Sequence, residues 1–326
     1  TTEKIMLTPN RFALIAAGCT LAAGAFAQTY PSKTIQMIVP VQAGSGADAI
    51  LRIVANKMAE NLKQQIVLDN QPGAAGLIAM ERAARAPTDG YMIAGVNDGS
   101  LVMTPHLYKK VNYDPVNGFE PVSLIAQINW VLIANPSMPK TVKDFIALAK
   151  ARPGDIDYAS GGNGSPQHIA MEVFAARTNL KFNHVPYRGA TQAAVDVQAG
   201  HVPVMFSALS VALGPIENGR LRALAVAGEA RTPLLKTTPT IAESGVPGFS
   251  FSTWTGLFAP RGTPKAIVDS LNAEIRRIAK TADYKTLLER QGLTPSELTP
   301  DEIDARVKKD LAYWQSTIKP LGIRAD

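Results

Sequence analysis

Thr34-Ile35-Gln36-Met37-Ile38-Val39-Pro40-Val41-Gln42-Ala43-Gly44-Ser45-Gly46-Ala47-Asp48 is the stretch that decides the fold class. Its first half is rich in Ile and Val, as a strand requires. Its second half is a glycine-serine turn closed by an aspartate. Leu51, Val54, Met58 and Leu62 follow at spacings of three, four and four, the apolar stripe of an amphipathic helix. Strand, short loop and helix recur outward from here. Runs at 65–69, 91–96, 131–134, 202–207 and 222–227 read as further strands between helical patterns. That alternation predicts an α/β protein with an open, mostly parallel sheet flanked by helices.

Ser165-Pro166 and Thr263-Pro264 each set a hydroxyl before a proline, a signature of helix starts. Thr299-Pro300-Asp301-Glu302 is a capping box ahead of Ile303, Val307, Leu311, Trp314 and Ile318, which predicts a packed last helix with Trp314 in the core. No repeat or low-complexity linker interrupts the chain. Two domains would then be joined by strands that cross between them, near 128–133 and 249–256.

A second glycine loop, Ala159-Ser160-Gly161-Gly162-Asn163-Gly164-Ser165-Pro166-Gln167-His168, also precedes a helix. At a helix start the first N–H groups lack helical acceptors and the helix dipole favours negative charge. Glycine lets a ligand approach the backbone. Two such loops face to face would hold an anion without a cationic side chain. The first loop has a rival reading. Gly44-x-Gly46-x-x-Ala49 matches the dinucleotide fingerprint, and Asp69 ends the next strand where a ribose-binding acid belongs. That would make the chain a nucleotide-dependent, Rossmann-type oxidoreductase. Asp48 opposes this reading, since its charge at the helix start repels a pyrophosphate. The second loop would also be left without a role.

Residues 1–27 read as an export signal. Lys4 and Arg11 precede an apolar run at 12–26, and Ala25-Phe26-Ala27 is a small-x-small site that predicts cleavage after Ala27 and a periplasmic mature chain. A lipoprotein variant would use Cys19. Cys19 is the only cysteine, so the exported chain would have no disulfide, thiolate nucleophile or Cys-zinc site. The formal charge of +6 is spread without a basic block, which argues against a nucleic-acid partner. The four histidines, His106, His168, His184 and His201, show no metal-binding spacing, and no G-x-S-x-G elbow occurs. No cofactor, metal or catalytic residue is expected. Arg188, beside Tyr187, is the cation best placed for a second carboxylate, and Trp130 or Trp254 the best aromatic walls.

Several segments resemble the substrate-binding receptors of the tripartite tricarboxylate transporter family, the Bug-type periplasmic receptors. They are Ile38-Val39-Pro40, Asn70-Gln71-Pro72-Gly73-Ala74-Ala75-Gly76, Asp89-Gly90-Tyr91, Tyr113-Asp114-Pro115, the second glycine loop, Val185-Pro186-Tyr187-Arg188-Gly189 and Leu221-Arg222-Ala223-Leu224-Ala225. The resemblance implies a two-lobed periplasmic binding fold closing on its ligand like a hinged trap. The lobes would be residues 28–129 plus 253–326, and 130–252. It implies a monomeric receptor that hands a small carboxylate to membrane transporter subunits. The loops at Gln42, Ala43, Gly44, Ser45, Gly46, Ala47 and Asp48, and at Ser160, Gly161, Gly162, Asn163, Gly164, Ser165 and His168, would grip one carboxylate. Tyr187, Arg188, Gly189, Phe206 and Ser207 would supply the far end. Ala47 stands where the family usually has a hydroxyl. Ser207 stands where it often has Asp, which disfavours a ligand ammonium and favours carboxylates without an amine.

Overall fold

The computed structural model describes residues 30–296 and 298–325. The expected signal segment lies outside them. From Lys33 onward the chain folds as one unit. Its elements are, in order, β1 (Ile35–Val39), α1 (Gly46–Leu62), β2 (Ile66–Asn70), α2 (Leu77–Ala84), β3 (Met92–Asn97), β4 (Phe119–Ala134), α3 (Val142–Ala151), β5 (Asp157–Ser160), α4 (Pro166–Thr178), β6 (Asn183–Pro186), α5 (Ala190–Ala199), β7 (Val204–Ala208), α6 (Leu209–Glu217), β8 (Arg222–Val226), β9 (Ser252–Pro260), α7 (Lys265–Ala279), α8 (Ala282–Arg290), β10 (Leu293–Pro295) and α9 (Pro300–Leu321).

Strand-helix alternation builds two parallel sets. β2, β1 and β3 form one, and β6, β5 and β7 the other. They are joined through β9 and β4, which run antiparallel to each other and to their neighbours, in the order β2-β1-β3-β9-β4-β7-β5-β6. β4 serves both sets. Its residues 119–129 pair with β9, and 130–134 pair with β7 and β8. The run 131–134 is therefore the end of a far longer strand. Glu120, Pro121, Gln127 and Asn129, with register shifts at Pro121/Ser123 and Leu124/Ala126, break the apolar run and hide the remainder.

Leu51, Val54 and Met58 of α1 are fully buried, as the stripe requires. In the second half, Val131, Ile133, Val197, Met205 and Leu209 share a core, and Phe174 packs edge-on against Phe206 and Phe249. Burying one such side chain is worth roughly 1.5–3 kcal/mol. The capping box at Thr299 and Glu302 forms, and Trp314 is buried edge-on against Phe251, at 5.7 Å between ring centres. Thr263 does not cap a helix. Its hydroxyl donates to the Pro260 carbonyl at 2.7 Å, and α7 begins one residue beyond Pro264.

Candidate functional site

The two glycine loops lie at the carboxyl ends of β1 and β5 and wall one cavity of about 700 Å³ between the two strand sets. Three helices of ten residues or more start on that wall: α1 at Gly46 and Ala47, α4 at Pro166 and Gln167, α5 at Ala190. Their first N–H groups have no helical acceptors, so positive dipole ends converge from both sides. Ile128, Trp130, Ala208 and Val211 make the rest largely apolar. Trp130 is fixed by its indole N–H donating to Thr253 Oγ1 at 2.8 Å and by edge contact with Phe251.

The first loop is held by Asp48, which is almost wholly buried and does not line the cavity. It accepts the Gly44 N–H at 2.8 Å, a side-chain N–H of Asn70 at 2.8 Å and a two-point pair from Arg52 at 3.0 Å. Burial raises its pKa, but these donors outweigh burial and hold the carboxylate below its usual range. The Asp48 carboxylate thus binds the loop's own backbone, where a pyrophosphate would need open N–H groups. Asp69 is likewise occupied, by Gln36, Gln71 and Arg82. Both facts argue against the dinucleotide reading.

The second loop is held by neutral groups. The Gly164 N–H donates to His168 Nδ1 at 3.0 Å. The Ser160 hydroxyl meets His184 Nε2 at 2.6 Å and accepts the Gly162 N–H at 3.0 Å. Gly162 sits at φ +117°, where a Cβ is strained and would come within 3.0 Å of the Tyr187 carbonyl.

The two halves touch around the cavity. A Cβ at Gly46 would lie 2.8 Å from Ala208 Cβ, and one at Gly189 would collide with the Gln42 side-chain amide. Glycine at both positions permits the approach.

Of the expected residues, Gln42, Ser45, Gly46, Ala47, Gly161, Gly162, Asn163, Gly164, Ser165, Tyr187, Arg188 and Gly189 line the cavity. Asp48, Ser160 and His168 are buried outside that lining, and Ala43 and Gly44 are exposed and do not belong to it. Phe206 is fully buried in the aromatic core, and Ser207 turns inward to the Ala208 carbonyl. Ala208, one step along β7, faces the cavity instead. Trp254 is buried against Asp310 and does not line the cavity. Loop 72–76, Asn97, Tyr108, Thr253 and Ala325 were not expected there. Ala74 and Ala75 sit at φ +46° and +51°, a strained conformation for alanine that is typical of functional loops. The Pro-Gly-Ala-Ala-Gly composition was the available signal.

Residues 50–323 match the tripartite tricarboxylate transporter family receptor. The chain is 36% identical over 299 residues to the UPF0065 protein in the tcbD-tcbE intergenic region of Pseudomonas sp. strain P51, covering 91% of this chain and 89% of that one. It is 32% identical to Protein BugT of Bordetella pertussis, over 93% of this chain and 94% of that one. Among solved structures, R. palustris Rpa4515 with adipate has a TM-score of 0.87 at 32% identity, covering 90% of this chain and 99% of that one. MatC from Rhodopseudomonas palustris with bound malate has 0.84 at 29%, covering 89% and 100%. The class is that of two-lobed periplasmic solute-binding proteins. Within it, the chain belongs to the tripartite tricarboxylate transporter receptor family.

Proposed function

We propose that this chain is a periplasmic receptor, without catalytic activity, that closes on a small dicarboxylate or aromatic acid and delivers it to tripartite-type membrane transporter subunits. One observation carries the reading: positive helix ends from both strand sets converge on a mostly apolar cavity lined, among the described residues, by no Asp or Glu. One ligand carboxylate would sit between loops 42–48 and 160–165 on backbone N–H groups. Arg188, exposed at the rim, would pair with the second. The relatives solved with adipate and malate support this class of ligand. A ligand ammonium would find no acidic partner among the described residues that line the cavity, a costly situation in a desolvated site. Short aliphatic dicarboxylates are therefore preferred and aromatic acids second. The lobes would be 28–129 plus 253–326 and 130–252, in a monomer with residues 1–27 removed on export.

Calorimetric titration with succinate against aspartate, glutarate against glutamate, and NAD as the rival ligand tests this. Succinate and glutarate should bind tighter than their amino partners, and NAD not at all. Tighter binding of both amino acids would overturn the selectivity. Binding of NAD would revive the oxidoreductase reading. Small-angle scattering should also show a smaller radius of gyration with ligand.

A further inference from the structure

His168, which is buried, and His184, which is half-buried, are two titratable groups that the proposed binding mode leaves without a task. They lie on α4 and β6, directly behind loop 160–165. Their rings stack at 4.1 Å between centres and 7° between planes. Tyr158 of β5 stacks on His184 at 4.8 Å, and the Tyr158 hydroxyl donates to Glu172 of α4. These are the titratable groups that face the pair.

The hydrogen bonds give each ring a defined duty. A backbone N–H can only donate, so His168 Nδ1, which receives the Gly164 N–H, carries a lone pair, and the neutral ring holds its proton on Nε2. His184 Nε2 meets the Ser160 hydroxyl, which also accepts the Gly162 N–H. Both glycines therefore have their amides tied back to a histidine, one directly and one through a serine. The first loop repeats the pattern with other chemistry. There the side chain three residues after the capping serine, Asp48, accepts the N–H of the residue before that serine, Gly44. In the second loop His168 stands three residues after Ser165 and accepts the N–H of Gly164. Acceptors at the same place in both loops mark the contact as part of loop construction, independent of the fold around it.

We propose that His168 and His184 act as a neutral stacked pair of positioning residues that set loop 160–165 in its carboxylate-gripping shape. Neither touches ligand. Burial pushes both pKa values down to about 4, with mutual repulsion adding to the effect at His184. The pair is therefore neutral at ordinary pH. Protonating His168 on Nδ1 would remove the acceptor from the Gly164 N–H, and protonating His184 as well would set two cations face to face.

The role rests on the receptor reading only for its effect on affinity. The test therefore has one arm without ligand and one with it. In ligand-free protein, nitrogen NMR should find His168 Nδ1 unprotonated from pH 7 down to about 4, and exchange of the Gly164 amide should be slow. In His168→Leu that amide should exchange at least about tenfold faster. In His168→Asn, whose side-chain oxygen can replace Nδ1, it should return toward wild type. With succinate or adipate, His168→Leu should bind roughly tenfold more weakly at pH 7. A protonated Nδ1 at pH 7, or exchange at Gly164 unchanged in both variants, would overturn the proposal. If wild type binds no dicarboxylate, the receptor reading fails while the ligand-free arm still decides the histidines. If His168→Leu fails to fold, the wild-type Nδ1 state and the His168→Asn exchange decide it.

Discussion

The two glycine loops are built alike and stabilised differently. Each ends in a capping serine, Ser45 or Ser165, whose hydroxyl accepts the N–H three residues on. Each has a side chain at that third position reaching back to the glycine before the serine. In the first loop that side chain is a carboxylate, neutralised by Arg52 and Asn70. In the second it is an uncharged imidazole with no ion pair. The difference teaches that a glycine loop before a helix can be held by a side-chain acceptor behind it, and that the acceptor's charge is free to vary if it is compensated. A charge-assisted acceptor is stronger but demands partners. A neutral one needs none, and leaves loop shape dependent on pH.

The largest expected break in the comparison comes from Asp48→Ala. It would leave the Gly44 N–H, Asn70 and Arg52 without their shared acceptor, at a cost of about 2–4 kcal/mol in urea unfolding, with dicarboxylate binding lost. A change under about 0.5 kcal/mol would mean that the first loop holds itself. Gly162→Val comes next. Strain at φ +117° should weaken binding by about tenfold or more while the fold survives. Calorimetry beside thermal unfolding reads both, and wild-type affinity would exclude the second loop from the site.

Acid should separate the loops. The histidine pKa values fall from about 6.5 unfolded to about 4 folded. The unfolded chain therefore takes up protons first, and stability should decline from about pH 6.5 to about 4 and level off below. Asp48 follows the opposite rule: its contribution is present above about pH 3.9 and lost only as pH falls through its lowered folded value. Unfolding measured at several pH values, in wild type and in His168→Asn with His184→Gln, should show the decline flatten in the variant. An unchanged slope would assign the decline to other groups. The smallest effect is the control. Ser45→Ala and Ser165→Ala should each cost about 1 kcal/mol. A marked inequality would show that the two caps are not equivalent.

Both loops were legible because their chemistry is local. A glycine turn and a helix start lie within one short window, and the second loop's helix begins where Ser165-Pro166 indicates. The first helix is capped by Ser45, where the sequence showed only the turn and the apolar stripe after it. The first parallel set was legible for the same reason, since β1, β2 and β3 match runs read as strands, but in the second only β7 was, because β5 and β6 are four residues each. The far wall was less so. Phe206 and Ser207 sit on a strand whose side chains alternate, and only tertiary placement selects Ala208 as the residue that faces the cavity. Asn97, Thr253 and Ala325 come from distant parts of the chain and meet only after β9 and the C-terminal segment are in place. Loop 72–76 was quoted for its family likeness, but its strained alanines cannot be recognised without backbone angles. The histidine pair depends on β5 and β6 lying side by side, which spacing in the sequence does not disclose.

The crossing strands also set the order of assembly. β5, β6 and β7 pair over short stretches of chain, whereas Asn97 of β3 must wait for Thr255 of β9, with the whole second strand set between them. Closing so long a loop carries an entropic cost before any contact offsets it, and such pairings are slow. The second set can collapse as a continuous block, while the first stays open along one edge until residues 252–260 arrive. The cavity, walled by both, would then be among the last features of the molecule to form.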